Sequence, residues 1–177
     1  QNTEGILLYL FAQRKLYSLS KRALHIMLFV NLIFYVLGLI NTIQSNNYFK
    51  AIYVIWGVTF CILYIREGER INTAATMQEL IDRKLYGFDT YAPFLKVTSL
   101  HKIALELKTK FPKEFIEQTS RNGQQKGVKD WYSDVSGVSI EKAIILCQIE
   151  NSDWETQLRM KYQKLNILLL VILLSVY

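Results

Sequence analysis

Two long stretches without a formal charge constrain this chain more than any other feature: Ala23 to Phe49 and Ala51 to Ile65, separated by Lys50. A bilayer core roughly 30 Å thick takes about 20 apolar residues as an α-helix. The first stretch is long enough for that and predicts a span over about residues 23–43. The second, over 51–65, is only about 22 Å long at 1.5 Å per residue, so Lys50 and Arg66 are expected to extend it by snorkelling. Gln44 to Lys50 (QSNNYFK) reads as a short polar turn, with Tyr48 and Tyr53 suited to an aromatic belt. A third apolar run, Leu165 to Tyr177, ends the sequence. The fold class expected is an all-α membrane protein. It has three spans of an expected four, a helical domain over 66–164 between spans two and three, and a continuation beyond Tyr177.

The charge distribution orients this arrangement. The net charge is +6. Residues 1–22 hold Arg14, Lys15, Lys21 and Arg22 against Glu4; the far side of the second span holds Arg66, Arg70, Arg83 and Lys84; the turn holds only Lys50. The positive-inside rule then places the N-terminus and residues 66–164 in the cytoplasm. Basic side chains beside the bilayer attract anionic headgroups, and the pattern is not that of a DNA-binding protein. Ile6 to Ala12 is too short for a signal peptide, and its basic residues follow rather than precede it. Cys61 and Cys147 lie in different regions and are expected to be free thiols.

Leu8, Ala12, Leu16, Leu19 and Ala23 recur at helical gaps, with Arg14 and Lys21 on the other face. This suits an amphipathic juxtamembrane helix over 1–22 lying on the membrane surface; a helix packed on the following domain has the same pattern. Asn31, Asn41 and Thr59 are the polar residues of the spans, positioned for interhelical or pore-lining roles, because an amide in hydrocarbon needs a partner. Gly38 and Gly57 suit close backbone approach. Ile71, Ala74, Met77, Ile81 and Leu85 share a face, and Gly87 is expected to end that helix. Pro93 breaks the chain. Leu100 to Phe111 predicts a helix started by Thr98 or Ser99, and Pro112 opens another over 113–118. Thr119 to Lys129 is rich in turn formers. Val138 to Lys164 predicts a long helix running into the third apolar run.

No enzyme signature is present. His25 and His101 lack metal-ligand neighbours at helical spacing, and Ser133/Asp134 reads as a turn. No catalytic residue, metal site or cofactor is therefore expected. The ligand candidates form two sets. Arg121, Lys126 and Lys129 would hold phosphates, with Gly123 and Gly127 letting backbone N–H groups approach an anion; Trp131 and Tyr132 would stack on a base. Gln148, Asn151, Glu155 and Arg159 form a polar row beside Trp154 on the long helix. Each set also suits a solvated surface.

Three stretches together resemble one family. Ala12-Gln13-Arg14-Lys15-Leu16-Tyr17 with Lys21 precedes the first span, and Asp130-Trp131-Tyr132 follows the loop. Leu146-Cys147-Gln148, Asn151, Trp154, Leu158-Arg159 and Tyr162 lead into the third span. In this order relative to the spans they are similar to the SMODS-associated four-transmembrane effectors of bacterial cyclic-oligonucleotide antiphage signalling (CBASS). Ile149 stands where that pattern often has a basic residue, and Glu155 where it often has Asp. The resemblance implies a homo-oligomeric, pore-forming effector of the bacterial inner membrane. A cyclic oligonucleotide bound by residues 66–164 would gate it, causing abortive infection. A non-channel membrane scaffold or partner-binding subunit and a membrane-embedded lipid hydrolase are the alternatives from other classes.

Overall fold

The computed structural model describes residues 2–40, 46–87, 96–123, 126–135 and 137–175, without the side chains at 154, 155, 157–159, 161, 162, 164–166 and 168–175. Among these residues the chain is helical. Its elements are α1 (Glu4–Gly38), α2 (Asn47–Tyr86), α3 (Val97–Lys110), α4 (Pro112–Ser120) and α5 (Ile140–Ser175). Two compact units result, Gln1–Lys129 and Asp130–Tyr177. The division falls inside the 66–164 stretch expected to form one domain.

Local chemistry explains the helix ends. Asn46 caps α2, its side-chain oxygen accepting from the Tyr48 N–H at 2.8 Å. Gly87 closes α2 as expected, in the left-handed region at φ 72°, and its N–H donates to the Arg83 carbonyl. Pro112 sits in the first turn of α4, where its missing N–H is not needed. α3 begins at Val97, slightly ahead of the expected Thr98 or Ser99 cap. Pro93 and Asn41 lie outside the described residues.

The first unit has two halves along the same two long helices. In one half, α1 packs against α2, α3 and α4. Leu8 to Ala12 and Leu16 of α1, Ala74, Met77 and Ile81 of α2, and Leu100, Ala104 and Leu107 of α3 are buried. The Phe11 ring meets Phe115 edge-on at 5.2 Å, and the Tyr9 hydroxyl hydrogen-bonds the His101 Nδ1 at 3.1 Å. The apolar face expected to lie on the membrane surface is thus covered by protein. The charges Arg14 and Lys15 are accommodated because they find partners on neighbouring elements, and residues 6–22 form the first half of a 35-residue helix rather than a separate element.

In the other half, α1 and α2 form a hairpin with its apolar side chains outward. Ile26, Leu28 and Phe29 on α1, and Val54, Ile55, Ile62 and Ile65 on α2, are all more than half exposed. Both helices are long and apolar enough to cross a membrane, and only 6% and 0% of their most apolar stretches are buried. A core helix of a soluble domain would be buried there. Between the helices, the Trp56 Nε1–H donates to Asn31 Oδ1 at 2.7 Å, and Phe34 contacts Phe49, Tyr53 and Trp56. Asn31 therefore has the interhelical partner its position requires. Thr59 instead donates to the Ile55 carbonyl of its own helix at 2.9 Å. Gly38 and Gly57 face open space, so close backbone approach is carried by neither.

For the spans, one expectation gains detail and one is corrected. α2 starts at Asn47, within the predicted turn, so Lys50 lies in its first turn and the helix reaches beyond the charge-free 51–65. From Asn47 to Arg66 it rises about 30 Å, the full bilayer core. Among the described residues, candidate spans number two, not three. α5 does run on into the third apolar run, as far as Ser175, and the residues before that run include Arg159, Lys161 and Lys164.

Replacing Trp56 by Phe should destabilise the hairpin by about 1 kcal/mol, the usual worth of an interhelical hydrogen bond in a membrane. The double change Asn31→Leu with Trp56→Phe should recover most of it, because no polar group is then left unpaired. Unfolding titrations in mixed micelles measure both.

Candidate functional site

The turn after α4 is closed on itself. Asn122 and Lys129 form an isolated parallel bridge. The Gly123 N–H donates to the Lys129 carbonyl at 2.7 Å, Gly127 to Asn122 at 2.8 Å, Lys129 to Arg121 at 3.1 Å and Val128 to Gln118 at 2.8 Å. Lys126 takes a left-handed conformation, φ 64°, and Val128 is buried. The N–H groups of Gly123 and Gly127, expected to approach an anion, are thus spent inside the loop. Gly127 serves another purpose: a Cβ there would lie 1.6 Å from the Arg121 carbonyl oxygen, so only glycine fits.

The loop is tied to α1. An Arg14 Nη1–H donates to the Gly127 carbonyl at 2.6 Å. Burial pushes the Arg14 guanidinium below its ordinary pKa, yet arginine keeps its charge at any working pH. One residue on, the Lys15 ammonium is held by both carboxylate oxygens of Glu114 on α4, at 2.7 and 2.8 Å, and lies 3.8 Å from the Phe111 ring centroid. Gln13 donates to Gln78 on α2 at 2.6 Å. The Gln13-Arg14-Lys15 run is therefore a set of three anchors, reaching α2, the loop and α4 in turn. The resemblance singled out this run, but its partners were not legible in the sequence. The usable signal was the pair of adjacent cations inside an otherwise apolar helical stretch.

Arg121, Lys126 and Lys129 are exposed around this loop. Arg121 pairs with Glu117 at 2.8 Å, an exposed helical pair of small energetic worth. A multiply charged anion would compete for this arginine.

In the second unit, Trp131 is half-buried and Tyr132 is buried. The Asn151 amide donates to the Tyr132 hydroxyl at 3.0 Å, so these two expected site residues do meet. The buried ring of Tyr132 offers less stacking surface than Trp131. Ser133 donates through its N–H and its hydroxyl to Glu150, at 3.1 and 3.3 Å. Gln148 is exposed. The side chains of Trp154, Glu155 and Arg159 lie outside the described residues. Cys61 and Cys147 are free thiols, as expected.

No curated protein and no solved structure matches the chain. The family model for the SMODS-associating 4TM effector domain matches residues 1–177, the whole chain. With the outward-facing apolar hairpin, the all-helical architecture and this end-to-end match, the chain belongs to the SMODS-associating 4TM effector domain family.

Proposed function

We propose that this membrane effector permeabilises the bacterial inner membrane when a cyclic oligonucleotide binds its cytoplasmic part, killing the infected host before phage matures. The messenger would come from a nucleotidyltransferase of the same antiphage system, as the family's association with SMODS suggests. The observation that carries this reading is the bond from Arg14 to the Gly127 carbonyl. It joins a loop bearing three exposed cations to a helix that continues unbroken into the apolar hairpin. In the first unit, Arg121, Lys126 and Lys129 would hold phosphates; in the second, Trp131 would take a base, with Tyr132, Gln148, Asn151, Trp154 and Arg159 as its further ligand residues. Residues 1–22 and 66–164 would face the cytoplasm, and the apolar end of α5 would begin a third span. Asn31, Asn41 and Thr59 would be the polar residues of the pore or of its interhelix contacts, Asn31 already being bonded to Trp56. Assembly as a homo-oligomer shares the switching requirement: moving a two-state equilibrium from 1:99 to 99:1 needs about 5.5 kcal/mol of differential binding.

The test is a panel of cyclic di- and trinucleotides, read by the melting temperature of the purified protein and by dye release from liposomes. A single member that raises the melting temperature and releases dye supports the reading; a panel that does neither overturns it. Arg14→Gln should lower stability by about 1–3 kcal/mol, because the Gly127 carbonyl loses a charged donor. It should also reduce dye release more than nucleotide affinity, which separates transmission from binding.

A further inference from the structure

One face of α1 has a groove that the proposed gating does not use. It is shallow, about 410 Å³, and lined by Ser18, Lys21, Arg22, His25, Ile26 and Phe29. The gaps of three, one, three, one and three put these six side chains on one helical face. The lining changes character along the helix. Lys21, Arg22 and His25 are exposed polar groups, and the next residues down are Ile26 and Phe29, 55% and 63% exposed.

The level of this groove is fixed by contacts between α1 and α2. The Ser20 hydroxyl donates to the Glu67 carbonyl at 3.4 Å, which sets Lys21 and Arg22 level with Arg66 of α2. Eleven residues further along each helix, Asn31 meets Trp56, so the register holds. That pair lies about 16 Å from the Ser20 level, about half the thickness of a bilayer core. The outward apolar surface of both helices begins just past the Ser20 level, at Ile26 on α1 and Ile65 on α2. The cations Lys21 and Arg22 therefore stand at the edge of the bilayer core, within reach of its phosphates by snorkelling, and Ile26 and Phe29 lie about 9 and 14 Å past the Ser20 level, along the acyl chains.

We infer that this groove is a binding site for an anionic glycerophospholipid. Lys21 and Arg22 hold the phosphodiester oxygens, His25 adds a hydrogen bond at the glycerol level, and Ile26 and Phe29 pack along one acyl chain. The occupant is a lipid rather than a soluble phosphate, because the same groove joins the cations to two large, more than half-exposed apolar side chains, Ile26 and Phe29, which a phosphate alone would leave uncontacted. The inference rests on the membrane placement in the proposed function, but not on nucleotide gating.

Native mass spectrometry of the purified full chain in detergent, with phosphatidylglycerol and phosphatidylcholine added at equal concentration, tests the site. The expected result is a roughly tenfold preference for phosphatidylglycerol, abolished in the double variant Lys21→Gln, Arg22→Gln and kept in Lys21→Arg. Equal retention of the two lipids by the unaltered protein overturns the inference without any variant. Displacement of phosphatidylglycerol by millimolar inorganic phosphate also overturns it, and assigns the groove to a soluble anion. Alkaline carbonate extraction of cell membranes reports insertion separately. Release of the chain by carbonate overturns the membrane placement, whereas an inserted chain with no lipid preference overturns only this site.

Discussion

Gly127→Ala is expected to open the loop between Arg121 and Lys129 and to lower stability by about 3 kcal/mol or more. An added Cβ would sit 1.6 Å from the Arg121 carbonyl oxygen and 2.1 Å from its carbon. These are backbone atoms, so no side-chain rotation relieves the overlap, and overpacking of this kind costs 1–3 kcal/mol or more. Shifting the backbone also loosens the bonds from Gly127 and Lys129 and removes the acceptor of Arg14. A fall in melting temperature of roughly 6–12 °C should follow for a chain of this size, with faster tryptic cleavage after Lys126 and Lys129. Gly68→Ala is the control: Gly68 is an exposed position inside α2 with nothing within 4 Å of its added Cβ. That change should be neutral or stabilising by up to about 1 kcal/mol. Equal effects from the two would show that the loop geometry is misread.

Phe11→Ala is expected to cost about 3–5 kcal/mol, the range for removing a buried phenyl ring. Phe11 is fully buried, and its edge-on contact with Phe115 adds a term beyond area. The loss falls on one half of the first unit. Circular dichroism should therefore show an early partial melt of α3 and α4, with the hairpin still helical at higher temperature, as expected where local stability differs. Phe11→Leu, which keeps most of the volume, should lose about 1.5 kcal/mol at most. A single late transition in Phe11→Ala would mean that the bundle contributes little stability of its own.

Much of the helical plan was legible because it is written in periodicity and punctuation. The face on Ala74, Met77 and Ile81 is buried, Gly87 ends α2 and Pro112 starts α4, all as the sequence predicts. The membrane surface was legible as charge-free length. What periodicity does not carry is the identity of the covering surface. Leu8, Ala12 and Leu16 form an apolar face whether lipid or protein covers them, and here α2, α3 and α4 do. Charge count marks the charge-free length of α2, while the helix itself begins earlier, at its Asn46 cap. Of the candidate site, Tyr132 and Asn151 came together, since both follow local chain geometry within one unit. The Arg14 contact was not legible: its acceptor is a backbone carbonyl 113 residues away, and a carbonyl leaves no trace in residue type. The glycine that makes room for it does leave one, but a loop glycine reads as flexibility until the Arg121 carbonyl is seen beside it.

The contact of Ser20 with Glu67 has a mechanical consequence. Glu67 is buried, its carboxylate held by Arg70 at 2.5 Å while its carbonyl accepts the Ser20 hydroxyl. Ser20 is itself only 1% exposed. This makes a fulcrum in the middle of α1. Arg14 lies about 9 Å to one side of it and Gly38 about 27 Å to the other, at 1.5 Å per residue. If α1 rocks there as a rod, a displacement of about 1 Å at Arg14 sweeps Gly38 through about 3 Å. A lever with that ratio turns the rearrangement of one loop into a shift of about a third of the 8–10 Å spacing between packed helices, without any helix having to melt.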